Sequence, residues 1–153
     1  MPDRRADIRS TMVCVNVIEG VYHRIAKALG VKENALVFFY ALDDGHAHSQ
    51  KQICDEWFIP RSTLNTIVQE CVARGHVVLV SEGRTREKLI RLTDQGRAFA
   101  RELLGRVYEA EDEAVAQAGD AFPPEAVAAL RSFTEALHAS ADRRFAQGPE
   151  DTR

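Results

Sequence analysis

Apolar residues recur at three- and four-residue steps from Ile8 through Met12, Val15, Ile18, Tyr22 and Ile25 to Leu29. That spacing predicts an amphipathic helix with a stripe wide enough for packing, stopped at Gly30. A second helix is predicted from about Lys32 to Leu42 with Leu36, Phe39 and Tyr40 on it. Asp43-Asp44-Gly45 breaks its pattern, and a loop holding His46 and His48 follows. Ser49 with Gln52 three residues on forms a capping box, which opens a short helix turning Ile53, Cys54 and Trp57 inward. The turn Phe58-Ile59-Pro60 leads into a further helix whose buried face is predicted to be Leu64, Ile67, Val68, Cys71 and Val72, ended by Arg74-Gly75. Two short helices joined this tightly make a helix-turn-helix candidate.

Beyond Gly75 the period changes. His76–Val80 is β-branched, Ser81-Glu82-Gly83 has turn chemistry, and Lys88–Leu92 alternates polar and apolar, so a β-hairpin is predicted. Thr93 then caps a long helix carrying Phe99, Leu103, Val107, Tyr108 and Val115 and ending near Gly119. Pro123 and Pro124 restart the chain, and Val127, Leu130, Phe133, Thr134 and Leu137 line a last helix. Apolar helices at both ends, flanking a compact middle, suit an intertwined helical dimer. The expected organisation is an N-terminal dimerisation helix over 1–31, a DNA-binding region over 32–92, C-terminal dimerisation helices over 93–146 and a polar tail over 147–153.

Opposite the apolar face of the second helix-turn-helix element stand Arg61, Ser62, Asn65, Thr66 and Gln69, with Thr63 beside them. Amides suit adenine, hydroxyls and methyls suit thymine or phosphate, and arginine suits guanine. A solvated helix face, the alternative, would usually carry more Glu and Lys. The hairpin adds Arg84, Arg86 and Lys88, placed to reach a minor groove or flanking phosphates, although a solvated sheet edge would also carry cations. Ser49 and Lys51, at the start of the preceding helix, complete the DNA-binding candidates.

Composition narrows the alternatives. The 153 residues, 45% hydrophobic, suffice for one domain with a sizeable core, and 20 basic against 23 acidic side chains leave a net charge of −3. Basicity must therefore be local: residues 49–92 hold seven Lys or Arg against five acids. A lobe so weakly basic needs a second copy, because affinity grows with the number of phosphates neutralised. The N-terminus lacks a secretory signal and the apolar stretches are shorter than a bilayer span, so no membrane association and a cytoplasmic location are expected. Cys14, Cys54 and Cys71 make a poor disulfide framework, and reduced, mostly buried thiols are expected. His46, His48 and Cys54 lack a defined fourth ligand, so neither metal nor cofactor is expected. With no nucleophile elbow, metalloprotease helix, phosphate loop or dinucleotide glycine pattern, the chain is not expected to be an enzyme.

The run from Gln52 to Gly75, followed by a basic hairpin and Arg91-Leu-Thr-Asp-Gln-Gly-Arg97, resembles the MarR family of winged helix-turn-helix transcriptional regulators. The resemblance rests on the Pro-Arg-Ser-Thr helix start, the Arg-Gly helix end and the Leu-Thr-x-x-Gly opening at the family's spacing; the outer helices fit by order and length. It implies a mainly α fold with a small β-hairpin wing, the winged helix-turn-helix being flanked by N- and C-terminal dimerisation helices. It also implies a homodimer that binds a pseudo-palindromic double-stranded operator and represses until a small aromatic or lipophilic effector releases it. Arg86 matches the arginine of the wing's Asp-x-Arg motif and Arg84 replaces its aspartate; Phe58 replaces a small turn residue and Cys71 a leucine. Effectors of the family bind between the dimerisation helices and the winged helix, which makes Tyr22, His23, Phe38, Phe39 and Trp57 the pocket candidates. Cys14 lies in the region where some relatives carry a redox-sensing cysteine, but a buried small hydrophobe is the expected role here. The alternative functions are a cysteine-based redox regulator and a winged-helix protein-interaction module without DNA binding.

Overall fold

In chain order the elements are α1 (Arg4–Ala28), α2 (Glu33–Leu42), β1 (His48–Ser49), α3 (Gln50–Trp57), α4 (Arg61–Ala73), β2 (Val77–Ser81), β3 (Lys88–Leu92), α5 (Asp94–Ala118) and α6 (Pro124–Phe145). A single 3-10 turn, Gly119–Ala121, separates the last two. The computed structural model describes residues 4–81 and 87–145, apart from the side chain of Asp120. The chain divides into two units, Met1–Glu109 and Ala110–Arg153. No described helix is long and apolar enough to cross a membrane.

Local chemistry sets the boundaries. Two helices end in the same way, on a glycine with positive φ: Gly30 after α1 and Gly75 after α4. At Gly75 the Gly75 N–H bonds the Val72 carbonyl at 3.0 Å and the His76 N–H bonds that of Cys71 at 2.8 Å, so two carbonyls the helix leaves open are satisfied. At α3 the Ser49 hydroxyl accepts from the Gln52 N–H at 3.1 Å, as the capping box predicts, while the Gln52 amide turns to Glu56 instead of back to the cap. The Leu-Thr-x-x-Gly segment ties α5 to the end of α4. Thr93 Oγ1 lies 2.6 Å from the Gly75 carbonyl oxygen and accepts from the Gly96 N–H at 2.9 Å. A Cβ on Gly96 would stand 1.8 Å from the His76 carbonyl oxygen, so glycine is obligatory at that crossing.

The core lies in the first unit. Leu36, Phe38 and Leu42 of α2, Ile53 of α3, Leu64 and Val68 of α4, Val77 and Ile90 of the sheet, and Leu104 and Val107 of α5 are all essentially inaccessible. Burial of each such side chain contributes about 1.5–3 kcal/mol. From α1 only Ala26 is fully buried, with Tyr22, Ile25 and Leu29 packed at the edge, so this helix joins the core through its last two turns. In the second unit α6 buries no residue.

Four expectations change. The loop before α3 contains a strand: His48 and Ser49 pair antiparallel with Ile90 and Leu89 of β3, so the sheet has three strands in the order β1-β3-β2. Val72 is 42% exposed, because at 100° per residue it sits about 80° around the helix from Leu64, at the edge of the buried stripe. Trp57 is 40% exposed instead of turned inward: it is the last residue of α3 and its ring meets Tyr40 edge-on. Cys14 is exposed, lying on the part of α1 that precedes its contacts with the core.

Candidate nucleic-acid interface

Helix α4 presents two chemically opposite sides. Leu64, Ile67, Val68 and Cys71 face the core, and Arg61, Ser62, Asn65, Thr66 and Gln69 are exposed, with Thr63 half-buried between them. Pro60 supplies the fixed φ that starts the helix, and its carbonyl accepts the Leu64 N–H at 2.9 Å. Thr66 donates its hydroxyl hydrogen to the Ser62 carbonyl at 3.1 Å, whereas Asn65 and Gln69 are exposed and their side-chain amides have no hydrogen-bond partner among the described residues. A rigid helix whose outer face consists of amides, hydroxyls and one arginine is chemically suited to read base edges.

The other DNA-binding candidates are spread around this helix. Ser49 is buried and its hydroxyl is occupied by the α3 cap. Lys51 is exposed at the start of α3, and its ammonium donates to Asp55 at 2.5 Å; that hydrogen bond and the charge behind it raise the lysine's pKa. Lys88 is exposed where β2 and β3 part, paired with Ser81. Arg84 and Arg86 lie outside the described residues. Arg91, exposed on β3, is a further cation on the wing beyond the predicted DNA-binding set.

Behind the wing, His48 Nε2 lies 2.9 Å from both carboxylate oxygens of Asp44, and the His46 N–H donates to the same group at 2.9 Å. Burial pushes the Asp44 carboxyl up, but these hydrogen bonds and the neighbouring histidines outweigh it and hold its pKa below the ordinary value. The contact fastens the α2–β1 turn to the strand that pairs with β3.

The five predicted effector residues fall into two aromatic groups and one surface pair. Tyr22 and Trp57 meet across Tyr40, at ring distances of 6.4 and 5.7 Å, and Tyr108 completes that group while donating its hydroxyl hydrogen to Asp43 at 2.8 Å. Phe38 is sealed in the core, and Phe39 beside it packs on Phe99 and His76. His23 is exposed and pairs with Glu33 at 3.0 Å. The sequence reading had not singled out Tyr40, Tyr108 or Asp43 for this site; the signal was adjacency on α2, because consecutive helical residues such as Phe39 and Tyr40 point about 100° apart and serve different clusters.

A cavity of about 600 Å³ opens on the other side of α2, lined by the start of that helix, by Thr63, Thr66, Glu70 and Arg74 of α4, and by His76, Phe99 and Leu103. Cys71 also lines it; burial pushes this thiol up to about 11, so it stays protonated and uncharged at neutral pH.

Comparison with known proteins agrees with this geometry. Residues 29–86 match the MarR family. The fold is similar to that of NMB1585, a MarR family regulator from Neisseria meningitidis, with a TM-score of 0.74 and 21% identity over 90% of this chain and 97% of that one. It is also similar to the MarR family transcriptional regulator SPO1453 from Silicibacter pomeroyi DSS-3, with a TM-score of 0.63 and 25% identity over 82% and 92% of the two chains. The PcaV transcriptional regulator from Streptomyces coelicolor, solved in complex with its natural ligand, matches with a TM-score of 0.55 and 17% identity over 84% and 91%. No curated protein matches the sequence significantly.

Proposed function

We propose, from the premise that this chain belongs to the MarR family of winged-helix transcriptional regulators, that it is a homodimeric, sequence-specific double-stranded DNA-binding repressor released by a small organic effector. The observation that carries this reading is the outer face of α4: Arg61, Ser62, Asn65, Thr66 and Gln69 exposed together on a helix anchored by Leu64, Ile67 and Val68. In the proposed complex the two α4 helices of a dimer enter successive major grooves about one helical turn apart, and the wings, carrying Arg84, Arg86, Lys88 and Arg91, reach the flanking backbone and minor groove.

Two features support the dimer and the effector. Ile8, Met12, Val13, Val17 and Ile18 of α1 and Val127, Leu130 and Leu137 of α6 are 37–59% exposed, apolar area that a second copy would cover. The relative solved with its natural ligand supports a ligand-responsive reading, and the Tyr22, Tyr40, Trp57 and Tyr108 group is the proposed effector wall. An effector that favours one spacing of the α4 pair weakens simultaneous engagement of both half-sites by its differential affinity for the two states.

The test is fluorescence anisotropy of a labelled duplex from the region upstream of the protein's own gene, titrated across salt beside a scrambled duplex. Tight binding is expected to be selective and to fall with salt, and Asn65→Ala is expected to lose about 1–3 kcal/mol of discrimination at one base pair. Equal affinity for every duplex at low salt overturns sequence-specific recognition, and no affinity for any duplex points to a protein-interaction module.

A further inference from the structure

Helices α1 and α4 close on glycines with positive φ, Gly30 and Gly75. Helix α3 closes in the same left-handed region on Phe58, at φ 52° and ψ 30°, the one non-glycine residue with positive φ among the described residues. A Cβ at such angles is crowded against the backbone, so glycine or asparagine would hold this turn at lower cost. Packing does not offset the strain. Phe58 is 80% exposed and meets no other ring among the described residues, whereas its neighbours are anchored, Trp57 against Tyr40 and Ile59 in the core. An aromatic side chain that is both strained and unpacked gains nothing inside the fold, and such residues are retained where they make a functional contact.

The chemistry around the turn selects the partner. Phe58, Pro60 and Arg61 are exposed on either side of the buried Ile59, which brings the ring to the N-terminal edge of the outer face of α4. That end of α4 has Arg61 as its first residue, no acidic residue in its first turn and no side-chain cap, so it presents positive potential. The preceding acids are engaged within α3, Asp55 by Lys51 and Glu56 by the Gln52 amide. An apolar ring beside positive potential suits DNA, where phosphates lie next to the methyl edges of thymine. An apolar protein surface would leave Arg61 and the helix end uncompensated. We propose that Phe58 is a specificity-determining DNA contact, its ring packing against the 5-methyl group of a thymine at the edge of the half-site that α4 enters. This rests on the DNA-binding reading of α4 and adds to it a discrimination of thymine from cytosine by shape and apolarity, ahead of the hydrogen-bonding residues of the helix.

The experiment compares the full-length wild type with Phe58→Gly and Phe58→Asn, both of which accept the left-handed backbone and lack the ring. Relief of strain is expected to leave the melting midpoint of each variant at or above that of wild type, with an unchanged sedimentation profile. Anisotropy is then measured on the duplex from upstream of the protein's own gene, on its scrambled counterpart, and on the upstream duplex synthesised with uracil in place of thymine. Both variants are expected to bind the upstream duplex about tenfold more weakly than wild type and the scrambled duplex equally well. Uracil is expected to lower the affinity of wild type about fourfold more than that of either variant, the equivalent of one buried methyl group. Wild-type affinity of the variants for the upstream duplex, an equal loss on the scrambled duplex, or an equal uracil penalty in all three proteins overturns the proposal. A lower melting midpoint or a shifted sedimentation profile also overturns it, by assigning the ring to packing within the chain or between copies. Failure of the DNA-binding reading is seen separately, in wild type itself, as equal affinity for the upstream and scrambled duplexes, and it takes the proposal with it.

Discussion

The winged helix and the terminal helices carry apolar stripes of similar spacing but opposite fates. Leu64, Ile67 and Val68 of α4 are buried within a single chain, whereas Ile8, Met12 and Ile18 of α1, spaced as regularly, remain 37–55% exposed. Periodicity reports that a face is apolar on one side and is silent about what covers it. In the winged helix the covering elements follow within about sixty residues, so one copy completes the core. Along the first four turns of α1 nothing in the described chain does so to the same depth, and the same physical signal becomes an argument for a second molecule.

Substitutions in the two regions are therefore expected to act differently. The largest effect is expected within the first unit. Leu64→Ala should cost about 2–5 kcal/mol through lost transfer energy and a residual cavity, read as a fall in the thermal midpoint and in the urea midpoint. A loss near zero would mean the α4 core is looser than the burial of Leu64 indicates. Ile18→Asp tests the other region. It should leave the folded winged helix spectroscopically intact but shift the sedimentation profile from dimer to monomer and reduce operator affinity by at least about tenfold, since one half-site is then engaged alone. If Ile18→Asp sediments as wild type, this stripe does not hold the proposed dimer.

Smaller effects refine the contrast inside the winged helix. Lys88→Ala, at the end of the hairpin where the connecting segment joins its strands, should weaken binding to all duplexes alike and lower the slope of log affinity against log salt by about one, while selectivity is kept. The Asp44–His48 pair offers a pH test of the short strand β1. Asp44 titrates below its ordinary range in the folded state, so its contribution is present at neutral pH and is lost as pH falls through the folded-state value. Asp44→Asn should thus be slightly less stable than wild type at pH 7, and the difference should vanish in acid. A difference that persists in acid would assign the effect to packing instead of to the charged pair.

Much of the scaffold was legible because its determinants are local. Ser49 caps α3, Gly75 closes α4 with a left-handed turn, and Thr93 with Gly96 opens α5, each through hydrogen bonds or sterics spanning a few residues or one crossing. What was missed depends on partners distant in sequence. Two residues are too few to show a strand period, so β1 emerges only through pairing with Ile90 and Leu89, some forty positions away. Phe39 and Tyr40 look equivalent as aromatic residues of one helix, yet one faces Phe99 and the other Tyr108, which divides the expected effector residues between two clusters.

The sequence alone determined the order of the helices, the position of the hairpin, the apolar side of α4 and the polar identity of its outer face, because backbone propensity, capping and a 3.6-residue period act within one or two turns. Only the tertiary structure decided that Trp57, Val72 and Cys14 are exposed, that Ser49 spends its hydroxyl on a cap, and that the start of α2 faces His76 across a cavity. Those outcomes depend on which surfaces arrive from elsewhere in the chain, and burial, unlike helix formation, is a property of two partners.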